Sequence, residues 1–341
     1  MVRNEGSKLA KCPYVWGLLF VCVILNIIFF LYGNGEEYAG KEYKELWQTF
    51  LSGGQSISEE MKQIQEEQQK YKDNGMEAKE LLYTRFLQEL NSVETYAGYR
   101  EGILANARKM SLFSSFSGDS FARRNVEKTA EHFRQMKPVQ VTTAPSLGVE
   151  KFFSPVTAAL ELIFLMFLGY LLFIQESENG IRGLLYVTRH GKARLFGAKI
   201  GAHILYMFIA TVVMYGCNFL LLHRQYGLGD LGRSVQSVLA YRSCGSILSV
   251  GGFLLAGIAV MLYLFAALSV VIDFLCVWGK KTIYSALLIL LCAAASMILY
   301  LQIPINSALG WLKYLNPVFC LDAGEVVGKY VNLNLFGNPV T

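Results

Sequence analysis

A chain of 341 residues with a formal charge of +5, 53% apolar residues and only 17% charged ones is too apolar to be disordered or heavily solvated. The average conceals two regimes, because residues 34–151 are polar, with 16 basic and 18 acidic residues, while the segments on either side are strongly apolar. That near-balance leaves no basic stripe for nucleic acid, and none of the four scattered histidines stands at ligand spacing from a cysteine, which argues against a metal site.

In chain order, residues 14–31 form the first uncharged run. At 1.5 Å per residue it covers roughly 27 Å, close to the hydrocarbon thickness of a bilayer. Arg3, Lys8 and Lys11 precede it like the basic start of a leader, but the run is long and no small-residue cleavage pattern follows, so it reads as an uncleaved anchor. Four more runs of spanning length occupy residues 152–174, 200–222, 247–272 and 282–303. Because a backbone in lipid must satisfy its own hydrogen bonds, all five are expected to be helices. The fold class is therefore an all-α polytopic membrane protein with five transmembrane helices.

Lys and Arg in the short connections set the orientation. Three precede the first run, five lie within residues 176–199, and Lys280 and Lys281 precede the fifth run. A cytoplasmic N-terminus places all of these inside, against Arg224, Arg233 and Arg242 outside. The expected organisation is then residues 1–33 as cytoplasmic N-terminus and first helix, 34–151 as an extracytoplasmic helical domain, 152–303 as helices two to five with a cytoplasmic loop at 175–199, and 304–341 outside.

The polar domain reads as helical and coiled-coil-like. Ser56 with Glu59 forms a capping-box pattern ahead of a run rich in Glu, Gln and Lys, and Asp73-Asn74-Gly75 breaks it. Beyond the break, Leu82, Phe86, Leu90, Val93, Tyr96 and Ala97, then Tyr99, Ile103 and Ala107, recur every three or four residues and predict an amphipathic helix or a pair. The domain holds no cysteine, so no disulfide framework supports it. The seven cysteines of the chain lie mostly in or beside the apolar runs, as small packing residues.

Leu51-Ser52-Gly53-Gly54-Gln55 spells the signature pentapeptide of ATP-binding-cassette ATPases. No phosphate loop of the form G-x-x-x-x-G-K-[ST] accompanies it, so a glycine turn ahead of Ser56 is the better reading and the chain is expected to hydrolyse nothing.

Within the apolar runs, Glu161 stands near mid-bilayer, where a charge costs several kcal/mol unless paired or wet. It is expected to face the protein interior, either as a substrate-path residue or as a hydrogen-bonded helix contact. His203 and Asp273 read as interfacial residues. Gly251, Gly252 and Gly257 on the fourth run, and Ala293 to Ala295 on the fifth, read as small-residue packing faces.

The loop at 176–199 carries the strongest functional pattern. It opens with Glu176 and Glu178, acids that can cap a short helix, and is punctuated by Gly180 and Gly191. Arg182, Arg189 and Arg194 make it basic, while Ile181, Leu184, Leu185 and Val187 give it a short apolar face. Anionic head groups attract such cations at about 1 kcal/mol each. A lipid contact would nevertheless need neither the acids nor the glycines.

These residues resemble the loop between the second and third spans of type-2 ATP-binding-cassette exporter permeases, through Glu176, Gly180, Leu184-Leu185, Thr188, Gly191, Arg194 and Ala198-Lys199-Ile200. Residues 120–129, Gly227 to Asp230 with Gln236-Ser237, and residues 332–337 are similar to firmicute members with a large outer domain. The resemblance implies a coupling helix, carried by Glu176, Glu178, Gly180, Arg182, Leu184, Leu185, Arg189, Gly191 and Arg194, that docks into a separate cytoplasmic ATPase subunit. It also implies ATP and magnesium on that partner, a second permease subunit, a plasma-membrane location, and export of a peptide, lipid or drug-like cargo. Such permeases usually have six spans. Five are found here, with residues 308–315 expected as an interfacial helix before an apparently missing sixth. A membrane-anchored sensor or a mechanotransmission subunit with a helical outer domain is the alternative.

Overall fold

The computed structural model describes residues 2–33, 37–53, 57–110, 121–180, 191–304, 307 and 309–340. Five of its helices are long and apolar enough to cross a membrane: Pro13–Tyr32, Leu147–Glu178, Ala193–Gln225, Val250–Gly279 and Thr282–Gln302. Ahead of them lies α1 (Val2–Lys11), and α2 (Pro13–Ile28) is the body of the first span. The first span ends in a π-helical turn, Phe29–Gly33, and the second carries one near its end, Tyr170–Ile174. Such turns, in which hydrogen bonds skip one residue further, are enriched at functional sites.

Lipid gives helices no hydrophobic reason to associate, so packing and interhelical hydrogen bonds must hold the bundle. Three spans meet at a buried polar knot. Asn26 donates to the Asn218 side-chain carbonyl at 2.6 Å, Thr157 donates to Asn26 at 2.7 Å, and Asn218 donates to Thr157 at 3.1 Å and to the Phe152 carbonyl at 3.2 Å. Close backbone approach does the rest: a Cβ on Gly257 of the fourth span would come within 2.0 Å of Phe153, and one on Gly169 of the second within 3.0 Å of Ile272. The glycine face read on the fourth span is thus a packing face. Ala293, Ala294 and Ala295 differ, because the fifth span is only 6% buried and these alanines are exposed.

The polar unit between the first two spans is built from α3 (Glu37–Gly53), α4 (Ile57–Asp73), α5 (Glu77–Glu94), α6 (Tyr96–Met110) and α7 (Phe121–Gln135). Asp73 ends α4 and Gly75 takes a left-handed φ of +67°, as the Asp-Asn-Gly break implied. α4 and α5 pack side by side, as do α6 and α7. The stripe Leu82, Phe86 and Leu90 is buried, and Phe86 meets Trp47 of α3 edge-on at 4.8 Å between ring centres. The expected periodic run divides at Thr95, and the second group is shallower, with only Tyr96 buried on α6. Leu51 to Gly53 lie exposed at the end of α3, while Gly54, Gln55 and Ser56 lie outside the described residues.

The tail returns to this unit. Leu333–Leu335 and Asn338–Val340 form an antiparallel hairpin turned by Phe336 and Gly337, both at positive φ. It sits on α7, where Asn332 donates to Asn125 at 2.7 Å and Lys128 donates to the Pro339 carbonyl at 2.7 Å. Two segments singled out separately in the sequence therefore touch. The contact also puts the tail on the same face of the bundle as the polar unit, as five crossings require. Of the segment at 308–315, Trp311–Tyr314 is helical and Ala308 lies outside the described residues.

One network fastens the polar unit to the spans. Tyr43 of α3 donates to Glu89 of α5 at 2.6 Å and accepts from the Ser146 and Leu147 amides at 3.0 and 3.2 Å. Arg85 bridges Glu89 at 2.9 Å and Glu150 at 2.5 Å. Burial pushes the Glu89 carboxyl above the ordinary glutamate range, against the pull of Arg85. The folded state therefore holds its proton to higher pH than the unfolded chain does. Between those two values, stability contributed by Glu89 grows as pH falls and is lost as pH rises. Thermal unfolding of the full chain in detergent should show wild type gaining on Glu89→Gln as pH is lowered from neutral toward the ordinary glutamate value; parallel pH profiles would contradict the assignment.

Candidate functional site

The loop between the second and third spans emerges on the face opposite the polar unit. Its described ends are held by a chain of charged contacts. Lys199, almost fully buried, donates to the Glu176 carboxylate and to the Leu172 carbonyl, and its ammonium lies 5.1 Å from the centre of the Phe173 ring. Glu176 also accepts from Lys8 of α1 at 3.4 Å, and Lys8 pairs with Glu5 at 3.0 Å. The last turn of the second span, the first turns of the third and the N-terminal helix are thereby joined. Tyr206 adds a hydrogen bond to the Gly6 carbonyl at 2.9 Å.

Glu178 makes its described contacts with another span. It accepts from the Thr282 amide at 3.1 Å and the Thr282 hydroxyl at 2.7 Å. The acid does cap a helix, but that helix is the fifth span, whose first N–H groups have no partner within the helix. Gly180 closes the short helix Gln175–Glu178 at φ +70°, the left-handed position where a side chain is disfavoured. Gly191 opens the helix Gly191–Gln225, and Arg194 is exposed on its first turns. Arg182, Leu184, Leu185 and Arg189, with the short helix expected around them, lie outside the described residues.

One turn beyond Lys199, His203 Nδ1 meets Asp273 Oδ1 of the fourth span at 2.7 Å, and both residues are 0% exposed. Both residues, expected near the inner ends of their spans, are enclosed between helices, where a polar side chain must find a partner within the protein. Lys199 and His203 stand four residues apart and so share one helix face, the one signal in the sequence that bears on this pairing. The partner on the fourth span has no comparable mark.

Glu161 is also interior, at 1% exposure. It lies one turn from Thr157 of the polar knot, beside Thr211 and Tyr215 of the third span. Thr211 is close enough to act on the Glu161 carboxyl, but neither carboxyl oxygen, nor the hydroxyls of Thr211 and Tyr215, closes a hydrogen bond of good geometry among the described residues. Unpaired polar groups at such depth call for an explanation beyond packing. The inward orientation expected of Glu161 is what the structure has.

Along the third span, Lys199, His203, Thr211, Tyr215 and Asn218 form a polar line about 28 Å long, on the order of the hydrocarbon thickness. Lys199, Thr211 and Tyr215 face the second span, His203 faces the fourth, and Asn218 faces the first and second. The described ends of the loop are thus linked by polar contacts, directly or through the third span, to α1 and to four spans. The chain matches no protein-family model, no curated protein and no solved structure.

The His203–Asp273 contact gives a direct test. Asp273→Ala strands a buried imidazole and should lower stability by about 1–3 kcal/mol. The double variant His203→Leu with Asp273→Leu should recover much of that loss, since an apolar pair needs no partner in lipid. Thermal unfolding in detergent checks both, and a double variant no better than the single one would contradict the pairing.

Proposed function

We propose that this chain is the membrane-spanning permease subunit of an ATP-binding-cassette exporter, coupled through the loop between its second and third spans to a separate cytoplasmic ATPase. The observation that carries the reading is the mooring of that loop. Glu176 and Lys199 close its base, Lys8 ties it to α1, Glu178 ties it to the fifth span, and His203–Asp273 continues the connection to the fourth. A loop that only touched lipid would have no need of rigid connections to so many spans.

In this reading the acids moor and the remainder docks. Glu176, Glu178 and Gly180 hold the loop's entry, while Arg182, Leu184, Leu185 and Arg189, with Gly191 and exposed Arg194 at the exit, meet the ATPase. Nucleotide binding closes two ATPase subunits, their movement displaces the docked loops, and a pair of permease subunits switches from inward to outward access. ATP and magnesium belong to the partner. The N-terminus and the loop lie in the cytoplasm of a bacterial cell, and the polar unit, with its side-by-side helix pairs, is extracytoplasmic. Cargo of amphipathic character, a peptide, lipid or drug-like molecule, would pass Glu161, the interior acid without a hydrogen-bond partner among the described residues.

Two measurements test this. Reversal of charge at Arg182 and Arg189 should uncouple ATP hydrolysis from export at least tenfold, on the order of 1.4 kcal/mol of lost coupling, while membrane insertion is retained; transport at the wild-type rate would reduce the loop to a lipid contact. Glu161→Gln, which keeps shape and polarity, should impair export without disturbing assembly, and unchanged export would remove Glu161 from the path. A membrane-anchored sensor or mechanotransmission subunit is the competing reading, favoured by the direct wiring of the polar unit to the spans through Tyr43, Arg85 and Glu150. Purification of the tagged full chain in mild detergent separates the two, since an exporter subunit brings down an ATPase.

A further inference from the structure

Three arginines run against the charge asymmetry that orients the spans, and the structure accounts for two of them. Arg233 is buried and donates to the Pro145 carbonyl, and Arg242 donates to Thr95 at 2.9 Å with its guanidinium 4.3 Å from the centre of the Tyr99 ring. Both hold the fold together. Arg224 is exposed in the last turn of the third span, where the helix dipole favours a cation, but its side chain closes no hydrogen bond or ion pair among the described residues.

Arg224 instead borders a cleft of about 430 Å³, together with Lys41 and Lys44 of α3, Leu31 of the first span, and Leu221 and Gln225 of the third. The cleft exists because α3 seats against the end of the third span. A Cβ on Gly40 would come within 2.8 Å of Gln225, and Lys44 donates to the Arg224 carbonyl at 3.1 Å. That bond uses one of the three ammonium donors of Lys44 and leaves two. Lys41 is largely exposed and its contact with Glu45 is long, at 3.8 Å, so little of its charge is spent.

We propose that this cleft binds the phosphate headgroup of an anionic phospholipid in the leaflet on the face of the polar unit. The three cations supply the charge, and the arginine fork suits phosphate oxygens. Leu31 and Leu221 belong to spans and lie where an acyl chain begins, so the site pairs charge with an apolar floor. Soluble phosphate would gain nothing from that floor. The bound lipid bridges α3 to the first and third spans and fixes the polar unit at the membrane surface. The inference requires only that the chain is embedded in a membrane and is independent of any ATPase partner.

The test uses the full chain reconstituted in vesicles of equal phosphatidylglycerol and phosphatidylcholine, followed by native mass spectrometry of retained lipid. Wild type should retain phosphatidylglycerol in preference. Removing one cation with Arg224→Gln should weaken that retention roughly fivefold, and the triple variant with Lys41→Gln and Lys44→Gln should abolish the preference. Lys62→Gln, Lys70→Gln and Lys72→Gln together, on exposed positions of α4, make the same charge change and should leave it intact. Arg224→Gln alone keeps the test open if the triple variant does not fold, because that side chain holds no described partner. Equal retention of both lipids, retention unchanged in Arg224→Gln, or a response matched by the α4 control would overturn the proposal. So would binding of inorganic phosphate alone without any preference for phosphatidylglycerol.

Discussion

A polar group in a membrane is costly unless the protein itself satisfies it, and the arrangement of this bundle follows largely from that constraint. Apolar side chains gain little by leaving lipid for one another, so burial does not choose which helices adjoin. The polar contacts do. Asn26, Thr157 and Asn218 tie the first three spans near the polar unit, and His203 with Asp273 ties the third to the fourth near the opposite face. Between them, Met207, Leu165 and Leu168 fill the interior with apolar volume. The fifth span has few such ties and is correspondingly the least buried.

The same constraint gives the loop between the second and third spans its character. Its base is closed by a lysine that is almost entirely withdrawn from solvent, bound to a glutamate which also holds the N-terminal helix. Breaking a pair of that kind by removing one partner is costly, because a buried charge is left uncompensated. The described ends of the loop are therefore held to the second and third spans and to α1 by charged contacts. On the opposite face Tyr43, Arg85, Glu89 and Glu150 do the equivalent for the polar unit. The two faces are thus each wired to the bundle by a charged or hydrogen-bonded cluster, with Glu161 and its unpaired neighbours between them.

Much of this was legible in the sequence. Hydropathy and length found all five spans, Asp73-Asn74-Gly75 ended α4, and the stripe of Leu82, Phe86 and Leu90 marked a core face, because each of these signals is local. The inward face of Glu161 followed from the cost of a charge in lipid. Pairings between distant spans were not legible. Nothing near Asp273 says that it meets His203, since helix rotation is set by packing rather than by the sequence of either helix alone. The hairpin at residues 333–340 has no clear sequence mark, because its turn uses Phe336, a residue seldom found at positive φ. The contact of Glu178 with Thr282, 104 residues on, likewise has no local signal and depends on how the spans pack.

In the proposed function, the loop moored by Glu176 and Lys199 is where an ATPase grips this chain. A photoreactive amino acid at Leu185, activated in native membranes of the producing cell, tests it most directly, with Lys62 on the polar unit as the control position. A coupling loop should give a covalent adduct between the Leu185 position and a nucleotide-binding ATPase, absent from the control. Adducts with lipid alone, or with no ATPase among the captured proteins, would contradict it.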